Sequence, residues 1–307
     1  ATGEHSYENG SCTVCGQDDP NYQPEEPADG KTLIAYITTA EGGAWVAIDK
    51  DTLAVTVLTD YSDVVYDGAG LGADGMIYAS LNGNYVQIDV ANGFTATTGG
   101  ATAYNMTIKD GAPSAPAQEL ELVDTKNGET KTATVGGYMY YGAEDWGAPY
   151  TVKLLDFAAN TTKEHSNYKY DDAMAEAMAF LSAEQVDASY FHEYYLVLAG
   201  NGDLYKHTEK SRYYGGTFGY QRDAEMIADL NLTVISGGAS MTMLEENLAI
   251  ISLNTASGVE LYSFDVTTST LTKLGALEGV TDLVGLSLVE GIAQPEEEEL
   301  MLSLIHI

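Results

Sequence analysis

The chain has 307 residues, 45% of them hydrophobic, which is enough for a sizeable core and excludes a chain disordered throughout. Its 46 acidic and 13 basic residues give a formal net charge of −33, a surface that repels nucleic-acid phosphate and so excludes nucleic acid as a partner. No apolar run reaches the length of about 18 residues that a membrane span needs, and two cysteines cannot make a disulfide-dense scaffold.

Taken in chain order, residues 1–16 are polar and hold the only two cysteines, in "HSYENGSCTVCG". The first residues lack both a starting Met and a basic-then-apolar leader, so the expectation is a removed signal peptide or a fragment. Residues 17–30, "QDDPNYQPEEPADG", are acidic, contain three prolines and read as an extended linker.

Residues 31–292 alternate short apolar runs with Gly/Asn/Asp turns, and they repeat. "LIAYITTAEGGAWVAID" (33–49), "MIYASLNGNYVQID" (76–89) and "LAIISLNTASGVELYSFD" (248–265) each read as strand, turn, strand ending in Asp. "YMYYGAEDWGAPYTVKLLD" (138–156) and "YYLVLAGNGDLYKHT" (194–208) are weaker copies. A Thr-rich strand follows most copies, as in "LAVTVLTD" (53–60). A small-residue strand precedes most, as in "VVYDGAGLGAD" (64–74) and "TVISGGASMTM" (233–243). The aligned positions Asp49, Asp89, Asp156, Thr208 and Asp265 lie 40, 67, 52 and 57 residues apart.

Four strands per unit of roughly 40–50 residues predict an all-β fold, a β-propeller of four-stranded blades. Five blades are expected, with a sixth able to hide in the irregular third and fourth units. Small residues suit the innermost strands, which crowd round an axis. The recurrent Asp sits where its carboxylate can accept backbone N–H bonds of a turn. The first unit lacks a small-residue strand, and the body ends in a lone one, "TDLVGLSLVEG" (281–291). That strand is expected to pair into the first blade and close the ring. Residues 170–185, "YDDAMAEAMAFLSAEQ", have Ala, Met and Glu at helical spacing. They read either as a short insertion or as the distorted inner strand of the fourth blade. Residues 293–307 form a second acidic linker and a tail, "MLSLIHI", that resembles translated adapter read-through in metagenomic reading frames, so His306 is assigned no role.

The C-x-x-C of Cys12 and Cys15 lacks the strand-to-helix setting of a thioredoxin motif. With His5 folded back it offers three zinc ligands where structural zinc takes four, the fourth lying upstream of Ala1. A local Cys12–Cys15 disulfide and an unpaired arm remain open beside structural zinc. None of these makes the motif catalytic. The stretch His5–Gly16 resembles a short "HTY-x-x-G-x-C-x-x-CG" module of secreted and cell-surface proteins of Clostridia-type Gram-positive bacteria. The repeats resemble the propeller domains of such proteins, with their "lYaid-x-x-tg-x-x-T" units. The resemblance implies an extracellular or cell-surface protein.

For chemistry, no G-x-S-x-G elbow, Walker loop or H-E-x-x-H occurs. Carboxylates at Asp63, Asp67, Asp74, Glu144 and Asp145 would suit a glycosidase on a five-bladed propeller, the alternative to a binding role. His165, His192 and His207 read as surface or satisfied strand residues. Aromatic turns point instead to a binding or scaffolding module. Tyr138, Tyr140, Tyr141 and Trp146 crowd one turn; Tyr213 and Tyr214 lie beside Arg212 at another. Rings beside polar groups bind glycans or protein segments. The expected role is thus a non-catalytic module engaging a glycan or protein.

Because a proline-rich linker separates the cysteine motif from the repeats, changing Cys12 and Cys15 to Ser is expected to leave the thermal midpoint of residues 31–292 unmoved. Zinc stoichiometry and intact mass, with and without reductant, distinguish metal from disulfide.

Overall fold

The structure, a computed structural model, describes residues 7–8, 11–12, 30–72, 75–82, 84–101, 118–135, 139–145, 148–156, 161–165, 175–232, 234–235 and 237–292. His5, Cys15, Tyr138, Trp146 and both linkers' interiors lie outside them. All regular structure among the described residues is strand, and none of it is a helix long and apolar enough to cross a membrane.

β1 (Tyr7–Glu8) and β2 (Ser11–Cys12) pair antiparallel. β3 (Lys31–Thr39), β4 (Gly42–Ile48) and β5 (Val55–Val57) form a meander. β6 (Gly68–Leu71), β7 (Ile77–Leu81), β8 (Asn84–Asp89) and β9 (Thr95–Ala101) form a complete four-stranded sheet. A separate hairpin follows, β10 (Gln118–Val123) with β11 (Thr130–Val135). The third unit gives a three-stranded sheet, β12 (Met139–Asp145), β13 (Ala148–Asp156) and β14 (Thr161–His165). The fourth gives β15 (Ala175–Asp187), β16 (Tyr190–Ala199), β17 (Asp203–Tyr214) and β18 (Thr217–Asp229). The fifth gives β19 (Ala239–Glu245), β20 (Leu248–Thr255), β21 (Gly258–Asp265) and β22 (Thr270–Leu277). Last comes β23 (Asp282–Glu290), which pairs antiparallel with β3, Asp282 opposite Thr38 and Glu290 opposite Lys31.

The fold is therefore an all-β propeller closed by its C-terminal strand. Five blades were expected; among the described residues four four-stranded blades are complete and the third unit shows three strands. Residues 175–187 are strand and not helix. Three register shifts against β16 make β15 the distorted inner strand. Its alanines explain the outcome: Ala177 and Ala179 pack against the fifth unit, while Ala175, Met178 and Phe180 pack on the other face. A surface helix would leave one of these sets in water.

Among the described residues, sheets stack face to face through cores such as these three. Ile34, Tyr36 and Trp45 meet Ile77, Val86 and Ile88. Leu33, Ala35 and Ile37 of the same strand meet Ile250, Val259 and Leu261. Alternate residues of β3 thus serve opposite neighbours, as a period of two requires. Each such aliphatic side chain contributes about 2 kcal/mol on burial. Leu196, Leu198 and Leu204 meet Met241, Ile251 and Phe264 in the third core.

At the centre the neighbouring inner strands are β15, β19, β23 and β6, in that order. Polar side chains tie them together. Gly237 N–H donates to Glu176 at 2.7 Å, Leu286 N–H to Ser240 Oγ at 2.9 Å, and Leu283 N–H to Asn254 Oδ1 at 3.1 Å. Asn254 Nδ2 donates in turn to the Asp282 carboxylate, which burial pushes above its usual range. The recurrent Asp behaves as its sequence position predicts. Asp49 Oδ1 accepts N–H bonds from Asp51 and Thr52, Asp89 from Asn92, and Asp265 from Thr267 and Thr268.

Closure depends on Gly285. It sits at the register shift between β23 and β3 with φ of +70°, and a Cβ there would lie 2.8 Å from the Ala69 Cβ. Gly285→Val is expected to destabilise the ring by about 2–4 kcal/mol, combining backbone strain with overpacking. In calorimetry the full chain is expected to melt in one cooperative transition, and removing residues 281–307 is expected to abolish it, because β3 becomes an open edge. An unchanged melt would contradict closure by β23.

Candidate functional site

Asp49, Asp89 and Asp265 each accept the N–H groups of the turn after the third strand, and Asp156 ends β13 at the same aligned place. The fourth unit has Thr208 at that position, and β17 runs on to Tyr214. At about 3.3 Å per residue the extra six residues carry the blade roughly 20 Å further. β15, β16 and β18 lengthen with it, and together they make a projecting lobe.

Period two assigns the lobe's faces. Leu196 and Leu198 of β16 face the fifth unit, so Tyr194, His192 and Tyr190 continue that same face outward. Val197, Tyr195, Glu193 and Phe191 point the other way.

The second face is covered. Leu120, Leu122 and Ala133 of the β10–β11 hairpin pack on Phe191 and Tyr213, with Ala183 and Phe218 at the edge. Val123 N–H donates to Ala188 O at 2.6 Å. The buried Asp124 carboxylate joins the two turns, accepting from Gly216 N–H at 2.7 Å and Lys126 N–H at 2.8 Å. Burial opposes its ionisation, but N–H groups of Lys126, Gly215 and Gly216 outweigh this and hold it below the usual carboxylate range. Deeper on this face Glu193 and Glu209 are opposite one another and fully buried. Tyr195 Oη donates to Glu193 at 3.2 Å, and Arg222 Nε donates to Glu209 at 3.1 Å. His207 lies 3.6 Å from Glu209. These groups are engaged inside the lobe.

Among the described residues no hairpin covers the first face, which carries two rows. Tyr190, His192 and Tyr194 form one on β16; Lys206, Lys210 and Arg212 form the other on β17, with Arg212 opposite Tyr190 and Lys210 opposite His192. Tyr190 and His192 rings meet edge to face at 4.9 Å, and His192 and Tyr194 at 6.0 Å. Tyr194 Oη donates to Glu184 at 3.1 Å and lies 3.2 Å from His192 Nδ1. With the phenol hydrogen given to Glu184, His192 must donate through Nδ1–H, which leaves Nε2 a bare acceptor. That Nε2 is buried without a hydrogen-bond partner among the described residues. At the foot of the face, Leu181, Ser182, Tyr194 and Lys206 meet Glu246, Asn247 and Val266 across a cleft of about 390 Å³, open solvent included.

Of the residues singled out from sequence, Arg212 and Tyr214 are exposed on this face, Tyr214 at 48%. Tyr213 is buried under the hairpin. Tyr140 and Tyr141 are in β12, Cys12 is in β2, and Asp63 and Asp67 are exposed in the loop before β6. Tyr190, Tyr194, Lys206 and Lys210 were not among the residues singled out, and His192 was read only as a surface or satisfied strand residue. The signal for the aromatic row was the alternation in "YFHEYY" (190–195), where polar aromatics occupy every second place.

No protein-family profile and no curated protein sequence matches the chain. Solved structures similar to it include TolB from Acinetobacter baumannii, at 12% identity over 85% of this chain and 67% of that one, TM-score 0.41. A putative TolB from Agrobacterium tumefaciens is 8% identical over 86% and 99%, TM-score 0.37. Virginiamycin B lyase from Staphylococcus aureus is 7% identical over 81% and 85%, TM-score 0.34. Similarity at this level assigns no activity or ligand.

Burial, then the charge of Lys210, pulls the His192 imidazole below its ordinary 6.5, against Glu184 and Asp223. The unfolded chain binds this proton at a higher pH than the folded one. Stability from this group is therefore complete above 6.5 and declines as pH falls below it. An NMR titration is expected to place the His192 midpoint below 6.5, and His192→Gln is expected to flatten the stability loss just under that pH.

Proposed function

We propose that this chain is a non-catalytic binding module of an extracellular, cell-surface protein, and that it engages a partner on the first face of the projecting lobe. The observation that carries the reading is asymmetric coverage. One face of the lobe is packed by a hairpin from more than 50 residues upstream in sequence. The other presents a row of half-buried aromatics above a cleft. Upright rings on a rigid sheet lose little conformational freedom on binding, and each contributes roughly 0.5–1.5 kcal/mol beyond its buried area.

A binding role is supported over hydrolysis by how the buried carboxylates are used. Glu176 ties neighbouring inner strands, and Glu193 and Glu209 are bonded to Tyr195 and Arg222 within the lobe. The surface location rests on the resemblance of His5–Gly16 and the repeats to cell-surface proteins, on the acidic composition, and on a large core with almost no cysteine.

A glycan and peptide array tests the role. Binding is expected for the wild type and is expected to be lost in the Tyr190→Ala, Tyr194→Ala double variant while β-sheet circular dichroism is kept. Trp146→Ala is the arm for the turn at 138–150. Binding that survives the double variant moves the site elsewhere, and binding to nothing rejects the role.

A further inference from the structure

Eight of the cations whose side chains the structure describes divide into two groups. Lys50, Lys210, Arg222 and Lys273 pair with Asp51, Asp223, Glu209 and Glu260. Lys126, Lys131, Lys206 and Arg212 take part in no ion pair among the described residues. Each of these four lies instead over an aromatic ring of the lobe. Lys206 Nζ is 4.8 Å from the centre of Tyr194, Arg212 is 5.1 Å and Lys126 5.8 Å from Tyr214, and Lys131 is 4.9 Å from Phe218.

In a chain with 46 acids and 13 bases, chance placement favours a carboxylate beside every cation. Here Lys126 and Arg212 share one ring at the lobe's tip, two like charges held together with no ion-paired carboxylate. Glu225 is opposite Lys206 in the β17–β18 register, without an ion pair to it, and the acids nearer the tip are otherwise engaged. Glu184 accepts from Tyr194, Asp223 holds Lys210, and Asp187 accepts the N–H and hydroxyl of Ser189, with Arg212 helping to keep it ionised. Toward the cleft Glu246 stands near Lys206.

Resting on the binding role proposed above, we infer that the ligand is an anionic glycan, a pyranose chain bearing carboxylate or sulfate groups. The two rows fit the two chemistries of such a chain. The faces of sugar rings lie against Tyr190, Tyr194 and Tyr214, and the acidic substituents reach Lys206, Arg212 and Lys126. A peptide is the weaker fit. It would add to a sheet edge through its backbone, whereas the rings and cations stand on a sheet face. The net charge of −33 does not forbid this contact, because screening confines charges beyond about 8 Å at physiological salt.

The test is calorimetric titration of the full chain with four probes of similar length: a uronate oligosaccharide, a sulfated oligosaccharide, a neutral oligosaccharide and a polyglutamate peptide. One or both anionic glycans are expected to bind most tightly, and which of them binds identifies the acidic group. Lys206→Gln and Arg212→Gln are each expected to weaken that binding about tenfold, the loss of one charge-assisted contact. Lys206→Arg is expected to retain it, and added salt to weaken it. A neutral glycan bound as tightly overturns the anionic ligand while leaving the binding face in place. Polyglutamate bound more tightly than either glycan replaces the ligand class with an acidic peptide. Anionic binding unaffected by both glutamine variants overturns the assignment of the cations. Failure of all four probes, together with an empty array, removes the binding role itself.

Discussion

The pairing of β23 with β3 is the constraint on which the rest of the molecule hangs. It joins residues some 250 apart and converts a row of sheets into a closed arrangement. Closure forces the inner strands together, and their residues record the pressure. Gly285 lies where Ala69 leaves no room for a side chain, and Ser240, Asn254 and Glu176 tie backbone N–H groups of the next strand. Non-local pairing of this kind carries a large loop-closure entropy, which is offset only when the stacked cores form with it. Ile34 enters one of those cores while Leu33 and Ile37 of the same strand enter another, so the closing strand and the apolar stacking are one cooperative event.

Given closure, the lobe follows from a local difference. Asp49, Asp89 and Asp265 end their strands by accepting the N–H groups of the turn. Thr208, at the equivalent place, is β-branched and comfortable in a strand, and it has no carboxylate to fold the chain back. The strand continues, its neighbours follow, and a sheet grows beyond the region where adjacent blades can cover it. Such a sheet has two faces to satisfy. The hairpin 118–135 covers one, with Asp124 fixing its turn to the turn at Gly215–Gly216. The other is left with half-buried aromatics and with cations, Lys206 and Arg212, whose charged ends lie over the rings.

Much of this architecture was legible in the residues. Period two in "LIAYITT" and "LAIISLN", small residues in "GAGL", and the orphan strand at 281–291 each have one physical meaning, and the structure agrees with all three. The stretch 175–187 was ambiguous because Ala, Met and Glu suit a helix in isolation. Its strand state is imposed by neighbours on both faces. Tyr213 and Tyr214 show the same limit: adjacent in sequence and alike in chemistry, they end on opposite faces, one under the hairpin and one 48% exposed.

The sequence by itself determined the strands, their repeat, the Asp turns and the closing strand, because these depend on local propensity and on a periodicity that any reader of the chain can measure. Only the tertiary structure decided which face of the lobe is covered and which cations lack a carboxylate. Alternation says that a strand has two faces and is silent about what lies against each. That answer comes from a hairpin more than 50 residues away and from a blade that begins after the strand has ended. An ion pair is likewise a property of distance in space, so a chain with 46 acids can still gather Lys126, Lys206 and Arg212 on aromatic rings.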